Sequence, residues 1–377
     1  MRIAINTRFL LPDRPLEGLG RYTHDLCQEL VRQHPEDEFL FLFDRPFDPK
    51  HVFADNVTPL VLGPPARDPV TWLAWFEWSV KRALERHRVG VFFSPDNYGS
   101  LRSSVPQVLV CHDLGYEHFP DQVPLKGRYF YQFFFPKYLR HARRVIAISD
   151  FVKRDLVERY QVAAEKVTVA PNGYRKGFYP MTDAAAQQFR QLRTGGAPYF
   201  FYVGAIQPRK NLSRLVRAFD QFKAATGSAT KLVLGGRMAW KTSELREAIE
   251  QSAYRNEIIL PGFISDSELV KWMAAAQVFV YPSLFEGFGL PLLEAMHAEV
   301  PVLTSNVSSL PEVAGEGALL VQPDSVEDIA RGLAQLDQNS SLRAELVERG
   351  REQRERFSWA RAAEIVYDVL TTTASAE

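Results

Sequence analysis

The sequence predicts an α/β protein made of two doubly wound parallel-sheet domains in tandem, on three observations. Short, near-continuous apolar runs alternate with helical patterns along the chain, the mark of a parallel sheet covered on both faces. The alternation restarts near residue 198, after a polar, turn-rich stretch with no apolar strand. The 377 residues are 46% hydrophobic, enough apolar material for two cores.

In the first half the strand candidates are RIAIN (2–6), EFLFLF (38–43), PLVL (59–62), VGVFFS (89–94), QVLVC (107–111), RVIAIS (144–149) and KVTVA (166–170). Helical patterns fall at roughly 20–33, 71–87, 126–142 and 150–160. The second set of strands is PYFFYVGA (198–205), TKLVLGG (230–236), EIIL (257–260), VFVYP (278–282), PVLTS (301–305) and ALLV (318–321). Helices near 211–225, 241–252, 266–276, 290–298, 325–337 and 340–356 separate them. Between the sets, NGYRKGFYPMTDAAAQQFRQLRTGGAP reads as a connection plus a short helix, which sets the domains at 1–178 and 179–357.

Lys plus Arg equals Asp plus Glu at 45 each, so bulk charge gives no sign of a nucleic-acid partner. Cys27 and Cys111 read as small buried hydrophobes in a reducing compartment, and no metal motif contains them. The start, MRIAINTRFLLP, is too polar for a signal peptide. No apolar run approaches the ~20 residues that span a bilayer. The expectation is a cytoplasmic protein, with peripheral contact to the inner face of a membrane left open.

Ligands of open parallel sheets bind beyond the carboxyl ends of the strands, and two such domains facing each other would form a cleft. The residues just after each strand therefore carry the functional reading. After VFVYP comes SLFEGFGLPLLEAM (283–296). Gly287 and Gly289 permit a tight turn, and Pro291 suits the first turn of a helix. Glu294 then lies about one turn in, since four residues rise ~6 Å. Glu286 and Glu294 can flank one ligand, while the helix start attracts an anion. A nucleotide sugar meets both demands: a carboxylate on each diol, and the amides of Phe288, Gly289 and Leu290 toward the phosphates. The plain alternative makes Glu294 a first-turn helix stabiliser and Glu286 a loop residue.

GAIQPRKN (204–211) sets Arg209 and Lys210 at another strand-to-helix turn. Arginine grips phosphate with its fork and lysine adds a point charge; the alternative is a solvated surface pair. With these cations on the leaving group, no divalent metal and no cofactor are required. Asp266, Ser267 and Glu268 read as a cap and first helical turn, with Ser265 or Asp266 capping, in preference to a metal site. His112 follows QVLVC directly, and from position alone a structural and a catalytic role are equally open; Asp113 can cap the next helix. EGLGRYTHDL (17–26) lacks the third glycine of a dinucleotide fingerprint and starts well after its strand, which excludes a nicotinamide site.

EGFGLPLLE resembles the Glu-x7-Glu motif of retaining glycosyltransferases of the GT-B fold, family GT4, of the mannosyltransferase-like kind. YVGAIQPRKNLSRLVRAF is similar to that family's phosphate-binding segment. VLVCHDLGYEHFP, AISDFVKRDL, VAPNGY, LPGFISDSEL and PVLTSNVSSLPEVAGEGALLVQP resemble its other landmarks, in order and over nearly the whole chain. One departure is Ala205, where many members carry an arginine; Arg209 would take that role. The resemblance implies a GT-B fold in which a C-terminal helix (358–377) crosses back onto the first domain. It implies that His112, Arg209, Lys210 and Glu286 serve catalysis. It places Glu286 on the transferred sugar, Glu294 on the ribose, Phe263 and Ile264 by the base, and Gly204, Gly287, Phe288, Gly289 and Leu290 at the phosphates and sugar. Gly18, Gly20 and Asn172 join the donor-binding set, Gly18 and Gly20 in a loop approaching the diphosphate and acceptor.

The implied function is metal-independent transfer of a hexose, with anomeric retention, from a nucleotide-diphosphate sugar to a saccharide or lipid-linked saccharide hydroxyl. GDP-mannose is the leading donor, and polysaccharide, lipopolysaccharide or glycolipid assembly is the setting. The alternatives are a nucleotide-sugar epimerase or hydrolase of the same fold, and a non-catalytic sugar-nucleotide-binding protein. Two aromatic, basic segments, 71–88 and 126–144, read first as core helices and second as an acceptor-side or membrane-surface patch. The sequence sets no oligomeric state.

Overall fold

The computed structural model describes residues 1–12, 16, 18–237 and 242–375. Glu17 of the glycine-rich turn, Lys241 of an expected helix and the last two residues of the expected C-terminal helix lie outside them. The chain forms two units, Met1–Gly173 with Ser358–Glu377, and Tyr174–Phe357.

In the first unit the elements run β1 (Arg2–Asn6), α1 (Leu19–Gln33), β2 (Glu38–Phe43), β3 (Val57–Val61), α2 (Pro69–Ala74), a π-helical segment (Trp75–Val80), α3 (Lys81–Arg86), β4 (Val91–Ser94), β5 (Gln107–Cys111), α4 (Gly115–His118), α5 (Leu125–His141), β6 (Arg144–Ala147), α6 (Asp150–Tyr160) and β7 (Val167–Val169). The sheet order is β3-β2-β1-β4-β5-β6-β7, with parallel pairing throughout. The order reverses direction between β1 and β4, which makes the loops after those two strands the switch point where open α/β sheets bind ligands.

The second unit runs α7 (Asp183–Thr194), β8 (Tyr199–Val203), α8 (Leu212–Thr226), β9 (Lys231–Gly235), α9 (Ser243–Gln251), β10 (Ile258–Gly262), α10 (Asp266–Ala274), β11 (Val278–Tyr281), α11 (Leu290–His297), β12 (Val302–Ser305), α12 (Leu310–Ala314), β13 (Ala318–Val321), α13 (Val326–Gln338) and α14 (Ser340–Arg354). Its parallel sheet has the order β10-β9-β8-β11-β12-β13. The switch point here lies between β8 and β11. A last helix, α15 (Trp359–Ser375), belongs to the first unit. Its Trp359 ring sits edge-on to Tyr22 of α1 at 5.6 Å, and Tyr367 donates to Asp37 at 2.7 Å.

Two helical segments differ from the periodic reading. The helix expected at 71–87 is interrupted by the π segment, whose extra residue turns Glu77 inward. The Glu77 carboxylate accepts from the Leu101 and Arg102 amides at 2.9 and 3.0 Å. The segment at 126–144 is not a wholly buried helix. Phe135, Tyr138 and Leu139 of α5 are in the core, but Leu125, Tyr129 and Phe133 are 67%, 68% and 58% exposed, spaced at i, i+4 and i+8 on one face. Cys27 and Cys111 are both buried free thiols. Among the described residues no helix is long and apolar enough to cross a membrane.

Candidate active site

The second unit's switch point is built from the ends of β8 and β11. After β8, Gly204 takes φ +152 and the chain tightens into a 3-10 turn, Pro208–Lys210. Asn211 closes it in the left-handed conformation, φ 62, which asparagine tolerates better than most residues. Its side-chain amide donates to the Pro282 and Pro323 carbonyls at 3.1 and 2.6 Å. These bonds hold the Arg209–Lys210 backbone against the end of β11, where the Leu284 amide donates to the Arg209 carbonyl at 2.8 Å.

The cations are thereby turned onto Glu286. Arg209 Nη1 donates to the Phe285 carbonyl at 2.9 Å and to Glu286 Oε2 at 3.3 Å. Lys210 Nζ donates to the Tyr281 hydroxyl at 2.7 Å and to Glu286 Oε1. Glu286 is 7% exposed and Lys210 6%. Burial alone would raise the Glu286 pKa; the Lys210 and Arg209 charges outweigh it and hold the carboxyl down at about 2. Where the sequence suggested that these cations face a diphosphate and Glu286 a sugar, the structure pairs cations and carboxylate with one another. A buried lysine needs a counter-charge, and Glu286 supplies it.

The turn that follows is locked by hydroxyls. The Glu286 amide donates to Ser308 Oγ at 3.1 Å, and Ser309 Oγ donates to the carbonyls of Glu286 and Phe288 at 2.9 and 3.0 Å. Gly289 takes φ +104, a conformation that favours glycine, and a Cβ there would also displace a Leu310 methyl 2.8 Å away. Helix α11 then starts at Leu290 with Pro291 in its first turn. Phe288 is 3% exposed and packs edge-on to Phe357 at 5.6 Å, which leaves its backbone, not its ring, for a ligand.

Glu294 lies on α11 and accepts from Arg175 Nε at 3.1 Å. The same guanidinium reaches Asp266 at 2.8 Å. Ser265 holds the N-cap position of α10 without a side-chain cap bond, so Asp266 pairs with arginine instead of capping. Phe263 is 57% exposed, and Ile264 lies against Gly235 at the end of β9. A hollow of about 440 Å³ opens beside that loop, lined by Ile206, Leu234, Gly236, Ile249, Leu260 and Gly262 among others. Sequence reasoning missed Arg175, Tyr281 and Ser308. Arg175 directly follows the VAPNGY landmark, and Tyr281 ends β11; both positions were signals.

The first unit places His112 just beyond β5. Its Nε2 lies 2.8 Å from the Pro95 carbonyl and its ring is edge-on to Tyr22 at 4.6 Å. Burial pushes the imidazole pKa below its ordinary value, against the opposing pull of Pro95, Asp113 and Asp96. Asp113 accepts from the Gly115 amide at 2.8 Å, a turn role at the start of α4. Gly18 is the N-cap of α1, at φ 47. Gly20 lies in that helix's first turn, where a Cβ would meet the Phe9 carbonyl at 2.8 Å. Asn172 is 4% exposed, and its Oδ1 has no partner among the described residues. The structure thus gathers Arg209, Lys210, Glu286 and the residue 287–290 turn at one switch point, with Glu294 paired to Arg175. His112, Gly18, Gly20 and Asn172 lie in the first unit.

Two doubly wound parallel-sheet units make the architecture of the GT-B class. Residues 16–175 match the family described as Glycosyltransferase Family 4, and residues 183–353 match Glycosyl transferases group 1. The chain belongs to this GT4-type glycosyltransferase family and is an enzyme of that class. It is 28% identical over 358 residues to the O-antigen chain mannosyltransferase B of Escherichia coli, covering 92% of this chain and 93% of that one. Among solved structures it matches WaaG, a glycosyltransferase involved in lipopolysaccharide biosynthesis, with TM-score 0.73 at 17% identity, over 98% of this chain and 99% of that one. Anabaena HepE, solved with UDP and glucose, matches with TM-score 0.75 at 16% identity, over 99% and 100%. At those identities the structures speak for the fold alone.

Proposed function

We propose that this glycosyltransferase moves a hexose from a nucleotide-diphosphate sugar to a hydroxyl of a saccharide or lipid-linked saccharide, with retention and without a metal, in polysaccharide or lipopolysaccharide assembly. The observation that carries the reading is the buried Glu286 held by Lys210 and Arg209 at the β8/β11 switch point, beside the start of α11. A diphosphate entering this site replaces the carboxylate as partner of the two cations. Glu286 is then released to accept hydroxyl hydrogen bonds from the sugar, while the cations stabilise the charge that grows on the leaving phosphate. Glu294, one turn into α11 and paired with Arg175, would then take the ribose hydroxyls. The likeness to the Escherichia coli mannosyltransferase makes GDP-mannose the first donor to test.

The test is a thermal-shift panel of GDP-, UDP-, ADP- and dTDP-sugars, followed by NMR of the product's anomeric configuration. Stabilisation by one nucleotide class and acceptor-dependent product with the donor's configuration support the reading. Donor consumed or epimerised without acceptor points to an epimerase or hydrolase instead. Binding without any turnover leaves only a sugar-nucleotide-binding protein.

The same proposal gives the exposed Leu125, Tyr129 and Phe133 ridge a role at an anionic membrane surface. Lys137 Nζ lies 3.2 Å from the Phe133 ring centroid, and the helix sequence LKGRYFYQFFFPKYLRH carries no acidic residue. Sedimentation with vesicles containing anionic lipid, against Tyr129→Ser/Phe133→Ser, checks it: equal binding of both proteins rejects the ridge.

A further inference from the structure

The first unit has its own charge pair at its own switch point. Arg8 follows β1 and Asp96 follows β4, the two strands between which the sheet order reverses. Arg8 Nη2 and Nε donate to Asp96 Oδ2 at 2.6 and 3.1 Å. The same oxygen takes Asn6 Nδ2 at 3.2 Å, while Oδ1 takes Ser94 Oγ at 2.9 Å and the Tyr98 amide at 3.0 Å. Arg8 is 7% exposed, and its guanidinium lies 4.4 Å from the ring centroids of both Phe9 and Trp72. Both Asp96 oxygens are thus met by donors of the protein itself.

What this pair fixes is the peptide between its neighbours. Pro95 stands between Ser94 and Asp96, with its own φ set by the ring. Ser94 is held by Asn6 at 2.9 Å as well as by Asp96. The Pro95 carbonyl therefore has a defined direction, and it is the partner of His112 Nε2. A carbonyl only accepts, so Nε2 carries the hydrogen, and in the neutral ring Nδ1 is left as an acceptor.

We propose that Arg8 and Asp96 are positioning residues for His112: through the Pro95 carbonyl they lock the imidazole in the Nε2–H tautomer, so that Nδ1 accepts a hydrogen bond from a ligand hydroxyl and the ring exchanges no proton with it. The assignment rests on the reading of His112 as a ligand-facing residue. Its surroundings agree with a neutral ring. Tyr22 of α1 packs edge-on to it and is itself backed by Trp359 of α15, and the charged groups about it are Asp96, which Arg8 neutralises, and Asp113.

The experiment is long-range 1H–15N NMR of histidine-labelled, unliganded full-length protein at pH 7, with the His112 signals assigned by their loss in His112→Gln. The expected wild-type spectrum is a single Nε2–H tautomer. In Asp96→Asn, and in the apolar replacement Arg8→Met/Asp96→Leu, the signals move to mixed tautomers, and kcat falls about 10- to 100-fold through misplacement with KM changed less. The double replacement keeps the test open where the single one does not fold. A wild-type ring that is Nδ1–H or protonated overturns the proposal. So does an unchanged His112 spectrum in a folded variant. Full activity in His112→Gln with the expected tautomer present would instead remove His112 from the proposed function and leave the positioning network standing.

Discussion

Replacing Lys210 with alanine tests whether the Glu286 cluster is a ligand site held ready by its own carboxylate. Moving that carboxyl from its ordinary 4.5 to about 2 corresponds to about 3 kcal/mol in favour of the ionised form at neutral pH. The contribution is present above pH 4.5 and is lost as pH falls through the folded value. Without Lys210, Glu286 keeps Arg209 at 3.3 Å, but burial now pushes its pKa up. The expected cost at pH 7 is about 2–4 kcal/mol, read by chemical denaturation. With the folded pKa now raised, protonation relieves the buried charge, so the cost shrinks toward pH 4.5. Lys210→Met/Glu286→Gln recovers most of the stability and none of the activity. Turnover, followed as release of nucleoside diphosphate, falls at least ~100-fold in Lys210→Ala because the leaving phosphate loses a preorganised cation. Turnover within about threefold of wild type, or a destabilisation equal at both pH values, refutes the reasoning.

Two further outcomes follow from the first unit. His51 is fully buried, with neither ring nitrogen partnered among the described residues. Burial first, then the neighbouring His24 and Lys50 charges, push its pKa down from 6.5 to about 4. The unfolded chain takes up that proton first, so stability falls as pH drops from about 6.5 to 4, and His51→Gln flattens the slope in denaturation curves at pH 7 and 5; an unchanged slope counts against it. Glu77→Ala strands the Leu101 and Arg102 amides and lowers stability by about 1–3 kcal/mol, while Glu77→Gln, which keeps an acceptor, loses less in thermal unfolding.

The strands were legible because parallel strands buried on both faces must be apolar at nearly every position, as EFLFLF in β2 is. The position just after a strand was enough to single out His112, Arg209 and Glu286 as candidates, and the family resemblance then gave His112 its role. Pairing was not legible. Arg8 meets Asp96 across 88 residues and Arg175 meets Glu294 across 119, and such contacts leave no periodic trace. Helical period likewise fails at the π segment, where one added residue turns Glu77 from the face a 3.6-residue repeat assigns it. Strand order, which selects the two loops that face a ligand in each sheet, is a property of the assembled sheet and is read only from its register.

That order also sets two similar charge pairs in different surroundings. Each unit sets a cation after its central first strand against a carboxylate after the strand across the switch point, Arg8 with Asp96 and Lys210 and Arg209 with Glu286. Arg8 is boxed by aromatic rings, and Asp96 is met on both oxygens by donors of its own unit. The carboxylate of a pair enclosed in this way is occupied by its own unit, and its directional bonds go into holding backbone. Arg209 keeps 24% of its side chain exposed, against 7% for Arg8. It therefore retains access to solvent, and its bond to Glu286, at 3.3 Å, is the longer and more easily exchanged. Closure suits the first pair to the positioning role proposed for it and openness leaves the second accessible to the proposed ligand, although the topology that produces them is the same.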